Sequence, residues 1–79
     1  MNKKNNVHLN KIHIKETKQT FWEIFISNNT SQKRYDTQVL TLMRIKDNYQ
    51  HYPINEFENM IYFKDKSLAE NIIVLLKLL

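Results

Sequence analysis

Over Thr20 to Ser27 the side chains alternate, with Trp22, Ile24 and Ile26 on one parity and Phe21, Glu23 and Phe25 on the other. A period of two marks a strand, because successive side chains point to opposite faces of a sheet. Both faces lean apolar, which predicts a central strand or a covered edge. Val7 to Lys15 alternates too, but its phase slips: Val7 and Leu9 share one parity, Ile12 and Ile14 the other. One extra residue would restore a single apolar face, so a bulge is expected near Asn10-Lys11. Glu16-Thr17-Lys18-Gln19 reads as the turn between these strands. Asn28-Asn29-Thr30-Ser31 reads as the next turn, with asparagine standing in for glycine where a left-handed backbone is wanted.

Tyr35 to Tyr49 fits two periods. As a strand, Val39, Thr41, Met43 and Ile45 oppose Leu40, Leu42, Arg44 and Lys46; as a helix, Tyr35, Val39, Leu42, Met43 and Lys46 share a face. The β-branched residues around Thr37 to Thr41 favour the strand. Pro53 marks a break after Tyr52, residues 54–59 read as a short helical turn or loop, and Met60 to Phe63 as a short strand. Ser67 and Glu70 form an S-x-x-E capping box that opens a helix from Leu68. On that helix Leu68, Ala69, Ile72, Ile73, Leu75, Leu76 and Leu79 cover an arc of roughly 160°, with Val74 and Leu78 outside it. A terminal helix this apolar is expected either to sink deeply against the sheet or to meet a second copy in a symmetric dimer. The expected fold is therefore α+β. It has a small antiparallel sheet of three or four strands and a C-terminal amphipathic helix packed on one face. Residues 1–6 are expected to be a disordered lead-in to a single domain spanning 7–79.

The chain has 79 residues, enough for one domain with a thin margin of stability. It contains no cysteine and no glycine. The first absence removes disulfides, thiol chemistry and Cys-ligated zinc. The second removes phosphate loops, dinucleotide fingerprints, helix–loop–helix calcium loops, the GXXG clamp and the G-x-S-x-G elbow, all of which need glycine for tight turns or close backbone approach. No secretory signal is visible, and the run from Leu68 to Leu79 is too short to cross a bilayer, so a cytoplasmic location and no membrane contact are expected. Abundant Lys, Asn, Ile, Tyr and Phe suggest an AT-rich coding sequence, in keeping with a low-GC bacterium, its phages or other mobile elements.

The net charge of +4 is unevenly placed. Residues 1–46 hold nine Lys or Arg against Glu16, Glu23 and Asp36, while residues 47–79 hold three Lys against five acids. Lys33, Arg34, Arg44 and Lys46 are the candidate basic surface, suited to nucleic-acid phosphates. Ten of the twelve basic residues are lysines, however, which give diffuse charge rather than the planar fork of arginine. His8, His13 and His51 are scattered, and without cysteine they make a weak zinc set; no metal or cofactor is expected. Glu56 and Glu58 flank Phe57 and read as solvated positions rather than an acid/base pair. The densest aromatic cluster is Tyr49-Gln50-His51-Tyr52, whose Tyr49, His51 and Tyr52 suit rigid anchoring in a protein interface or stacking on bases. With the helix residues Leu75, Leu78 and Leu79, they form the candidate partner-binding set.

The expected function is non-catalytic: a protein-binding accessory or inhibitor module, of phage or mobile-element origin. The alternative is a small basic nucleic-acid-binding protein acting as a dimer. A metal-independent ribonuclease toxin built on Lys33, Arg34, Tyr35, Arg44, Tyr49 and His51 ranks behind both.

Overall fold

A computed structural model describes residues 5–48 and 60–79. The elements run β1 (Val7–Ile14), β2 (Gln19–Ile26), α1 (Gln32–Lys46), β3 (Met60–Phe63) and α2 (Lys66–Leu78). The three strands form one antiparallel sheet in the order β1-β2-β3, so β2 is the central strand that its two apolar parities predict. The fold is α+β with the C-terminal helix on the sheet, as expected.

Two elements differ from the sequence expectation. First, β1 and β2 pair without a bulge, from Val7 opposite Ile26 to Ile14 opposite Gln19. The phase slip serves two faces instead of one. Val7 and Leu9 point toward the helices, and the half-buried Ile12 and Ile14 toward the other side of the sheet, where Phe21 and Tyr62 are buried. Second, the segment favoured as a strand from Tyr35 is the helix α1. Ser31 caps it, its Oγ accepting from the Arg34 N–H at 3.2 Å. Leu42 and Gln38 are buried, and Tyr35, Val39 and Ile45 pack on the core, which is a helical spacing. The β-branched residues that favoured a strand are accommodated by bonding back along the helix. Thr37 Oγ1 donates to the Lys33 carbonyl at 2.9 Å, and Thr41 Oγ1 to the Thr37 carbonyl at 2.8 Å. A strand would place Leu42 on one face with Arg44; the helix buries the leucine and exposes the arginine.

The core lies between the sheet and the helices. Val7, Ile24, Ile26, Ile61 and Phe63 meet Leu42 of α1 and Ala69, Ile72, Ile73 and Leu76 of α2. The cap of α2 is Asp65 rather than Ser67, and the helix starts two residues earlier than the capping box implies. Asp65 Oδ1 accepts from the Ser67 and Leu68 N–H groups at 2.9 and 3.3 Å. A carboxylate at this position also meets the positive end of the helix dipole.

The expected disordered lead-in does not reach Asn6, which is 1% exposed. Its backbone carbonyl accepts from the Ser27 N–H at 2.8 Å, and its side-chain amide donates to Gln38 Oε1 at 2.6 Å and to the Ser27 carbonyl at 3.2 Å. Gln38, fully buried, donates in turn to the Leu76 carbonyl at 3.0 Å. The start of β1, the end of β2 and both helices thus meet on one polar clasp.

Candidate protein-docking surface

From Ile72 to Leu79, Lys77 is the one polar side chain. The sheet and α1 absorb only part of this apolar length. Ile72, Ile73 and Leu76 are buried, whereas Val74 is 59% exposed, Leu75 44%, Leu78 79% and Leu79 38%. At 100° per residue, Val74 and Leu78 lie within about 40° of one another and Leu75 and Leu79 beside them, so the second half of α2 is apolar on both sides. Leu75 and Leu79 belong to the arc expected to be covered, and beside the described residues both stay partly exposed, as a helix sunk against the sheet with its last leucines frayed would also leave Leu79.

The far end of this stripe is held by Arg34. Its guanidinium donates from Nη2 to the Lys77 carbonyl at 2.9 Å and from Nε to the Leu79 carbonyl at 3.3 Å. A third nitrogen, Nη1, donates to Asn6 Oδ1 at 3.0 Å. The last carbonyls of a helix lack intrahelical donors and carry its negative end, so a cationic fork is the natural cap. Arg34 is therefore spent on structure. The basic surface expected from Lys33, Arg34, Arg44 and Lys46 is not one surface. On a helix Arg44 and Lys46 lie about 200° apart rather than on one strand face. Lys33 and Arg44 are exposed on the solvent side of α1, while Lys46 is half-buried.

A basic feature that the sequence reading missed lies elsewhere. Trp22 carries the Lys66 ammonium 5.0 Å and the Lys11 ammonium 5.9 Å from its ring centre. Both follow from pairing: Lys11 faces Trp22 across β1 and β2, and Lys66 follows β3, whose Phe63 pairs with Trp22 on the other side. The signal was present in the parity of Lys11 and Trp22, but only the register shows that they meet.

His8 and His13 point to opposite faces of β1. His8 stacks on Phe25 at 6.1 Å, and His13 Nδ1 lies 3.2 Å from Thr20 Oγ1. On the face away from the helices, Asn10, Glu23 and Tyr62 form a polar row across all three strands. Asn10 Nδ2 donates to Glu23 Oε1 at 2.8 Å, and the Tyr62 phenol hydrogen-bonds the same carboxylate. Burial pushes the Tyr62 phenol above its ordinary pKa of 10.0, and the adjacent Glu23 carboxylate raises it further. Among the described residues no three acidic or imidazole groups come together as metal ligands, and no helix is long and apolar enough to cross a membrane. Tyr49, His51 and Tyr52, and the carboxylates Glu56 and Glu58, lie outside the described residues. In comparisons with known proteins the chain matches no family model, no curated relative and no solved structure.

Proposed function

We propose that this chain is a non-catalytic binding module of the cytoplasm, an accessory or inhibitor that docks on a protein through the exposed half of α2. One observation carries the reading: Val74, Leu75, Leu78 and Leu79 stand exposed along one helix while their neighbours fill the core. Fully burying a leucine side chain stabilises by roughly 1.5–3 kcal/mol. Four adjacent apolar side chains on so small a domain are thus a surface for association. The test is affinity capture of host-cell proteins with the wild-type chain and with Leu75→Glu/Leu78→Glu, alongside mass in solution by light scattering. A partner retained by the wild type should be lost at least tenfold by the double variant, with the fold intact because both sites are exposed. Capture that ignores both substitutions would remove the reading, and a wild-type dimer dissolved by them would identify the partner as a second copy.

A second reading, a basic nucleic-acid-binding protein acting as a dimer, is favoured by Trp22 and the two lysines over it. An aromatic ring framed by cations suits a stacked base and its phosphates. Affinity for single-stranded DNA or RNA should then fall steeply with added salt. A chain that fails to retard either at low salt would end this reading.

A further inference from the structure

β1 has β2 on one side, and no described residue pairs with its other side. Which of its backbone groups face that open side follows from the ladder. The Ser27 N–H donates to the Asn6 carbonyl directly opposite, so this is a hydrogen-bonded pair. Such pairs alternate along an antiparallel ladder. His8, Asn10, Ile12 and Ile14 therefore turn their N–H and C=O groups toward β2, and Leu9, Lys11 and His13 turn theirs outward. Val7 also faces outward, but its N–H is taken by Asn5 Oδ1 at 3.3 Å. The outward groups of Leu9, Lys11 and His13 have no partner among the described residues.

Beside this edge lies a cavity of about 470 Å³ between β1 and α2. Val7, Leu9, Ile73 and Val74 contribute its apolar lining, with Glu70 and Lys77 among its polar residues. An added strand would lie about 4.8 Å from β1 and send alternate side chains to the helix side of the sheet, toward this cavity. Lysine often guards an open edge against such pairing. Here the Lys11 ammonium leans over Trp22, toward β2 and away from the edge.

We propose that the outer edge of β1 receives an extended peptide strand of a partner protein, with apolar residues at alternate positions and acidic residues among the others. The inference rests on the protein-binding reading and adds a second contact surface to it, one that shares Val74 with the exposed half of α2. The acidic character follows from charge: the described residues 5–15 carry Lys11 and Lys15 and no acid. The same charge disfavours a second copy in the register centred on Lys11, which sets that lysine opposite its counterpart.

The test pans a displayed library of random twelve-residue peptides against the full chain. Enriched peptides are expected to alternate apolar residues and to carry excess acid. The strongest should slow amide exchange at Leu9, Lys11 and His13. Lys11→Pro removes an outward N–H without touching the β1–β2 ladder and should weaken that peptide at least tenfold, whereas Lys11→Ala, which keeps the N–H, should weaken it less. If the proline variant unfolds, amide exchange in the wild type decides alone. Enriched peptides with helical three- and four-residue spacing, or no enrichment at all, would overturn the proposal. So would protection of these amides by single-stranded oligonucleotides in place of peptides, or by raised protein concentration without peptide. Leu75 and Leu78 do not line the cavity, so a partner lost with their substitution but kept by Lys11→Pro sinks this proposal and spares the broader reading.

Discussion

Lys18 holds φ at 55°, in the left-handed region that a β-carbon disfavours. The turn expected at Glu16 to Gln19 is present, but its strained position falls on lysine, while the asparagines at 28 and 29 keep negative φ. Left-handed backbone costs a non-glycine residue roughly 1–2 kcal/mol, and glycine returns part of that gain as unfolded-state entropy. Lys18→Gly should therefore raise stability by about 0.5–1 kcal/mol in urea denaturation. Gln38 is the opposite case, a buried polar group fully employed. Gln38→Leu would strip the Asn6 amide of its 2.6 Å acceptor and cost about 2 kcal/mol, read from the same denaturation curves.

At the scale of elements, β2 and α2 were legible because one period dominates each, and β3 because it is a short apolar run between Asn59 and Lys64. α1 was not, because two periods compete in its sequence, and the threonines that tilted the choice toward strand satisfy themselves by bonding one turn back. The deciding signal was Ser31, a capping residue read as part of a turn. The bulge expected in β1 is absent for a related reason: the phase slip lets one strand serve two faces. For α2 the capping box was a coincidence of spacing, and the two residues separate cleanly by substitution. Asp65→Ala should cost about 1 kcal/mol, while Ser67→Ala should stay within about 0.5 kcal/mol, both by thermal or urea melting.

For the whole molecule, the apolar excess of α2 was visible in the sequence, but its division into covered and open halves was not. That division depends on how many turns the sheet and α1 can reach. The charge asymmetry was legible too, but the part Arg34 plays in capping α2 was not, because 34 and 79 are distant in sequence and meet only in the fold. The folded state also carries a pH limit. The Tyr62 pKa is raised, so at high pH the unfolded chain loses this proton first and is favoured by it. The stability linked to Tyr62 is complete below about pH 10, the ordinary tyrosine value, and is lost as pH rises through the folded-state pKa. Urea denaturation at pH 9 and pH 11 should show a larger loss for the wild type than for Tyr62→Phe.

The polar clasp also bears on how the molecule comes apart. β1 and β2 are joined by a short turn, but Asn6 meets Gln38 across 32 positions, Gln38 meets Leu76 across 38 and Arg34 meets Leu79 across 45. Loops of that length, like those closed by the β2–β3 ladder, carry an entropic cost that nearby pairings do not bear. The clasp is therefore expected among the later steps of folding, and Gln38→Leu should speed unfolding in stopped-flow denaturation more than it slows refolding. Contacts made after the transition state leave the folding rate almost untouched and act on the unfolding rate. On that expectation the clasp is a latch on lifetime: loosening it should shorten how long each molecule stays folded without slowing how fast it forms.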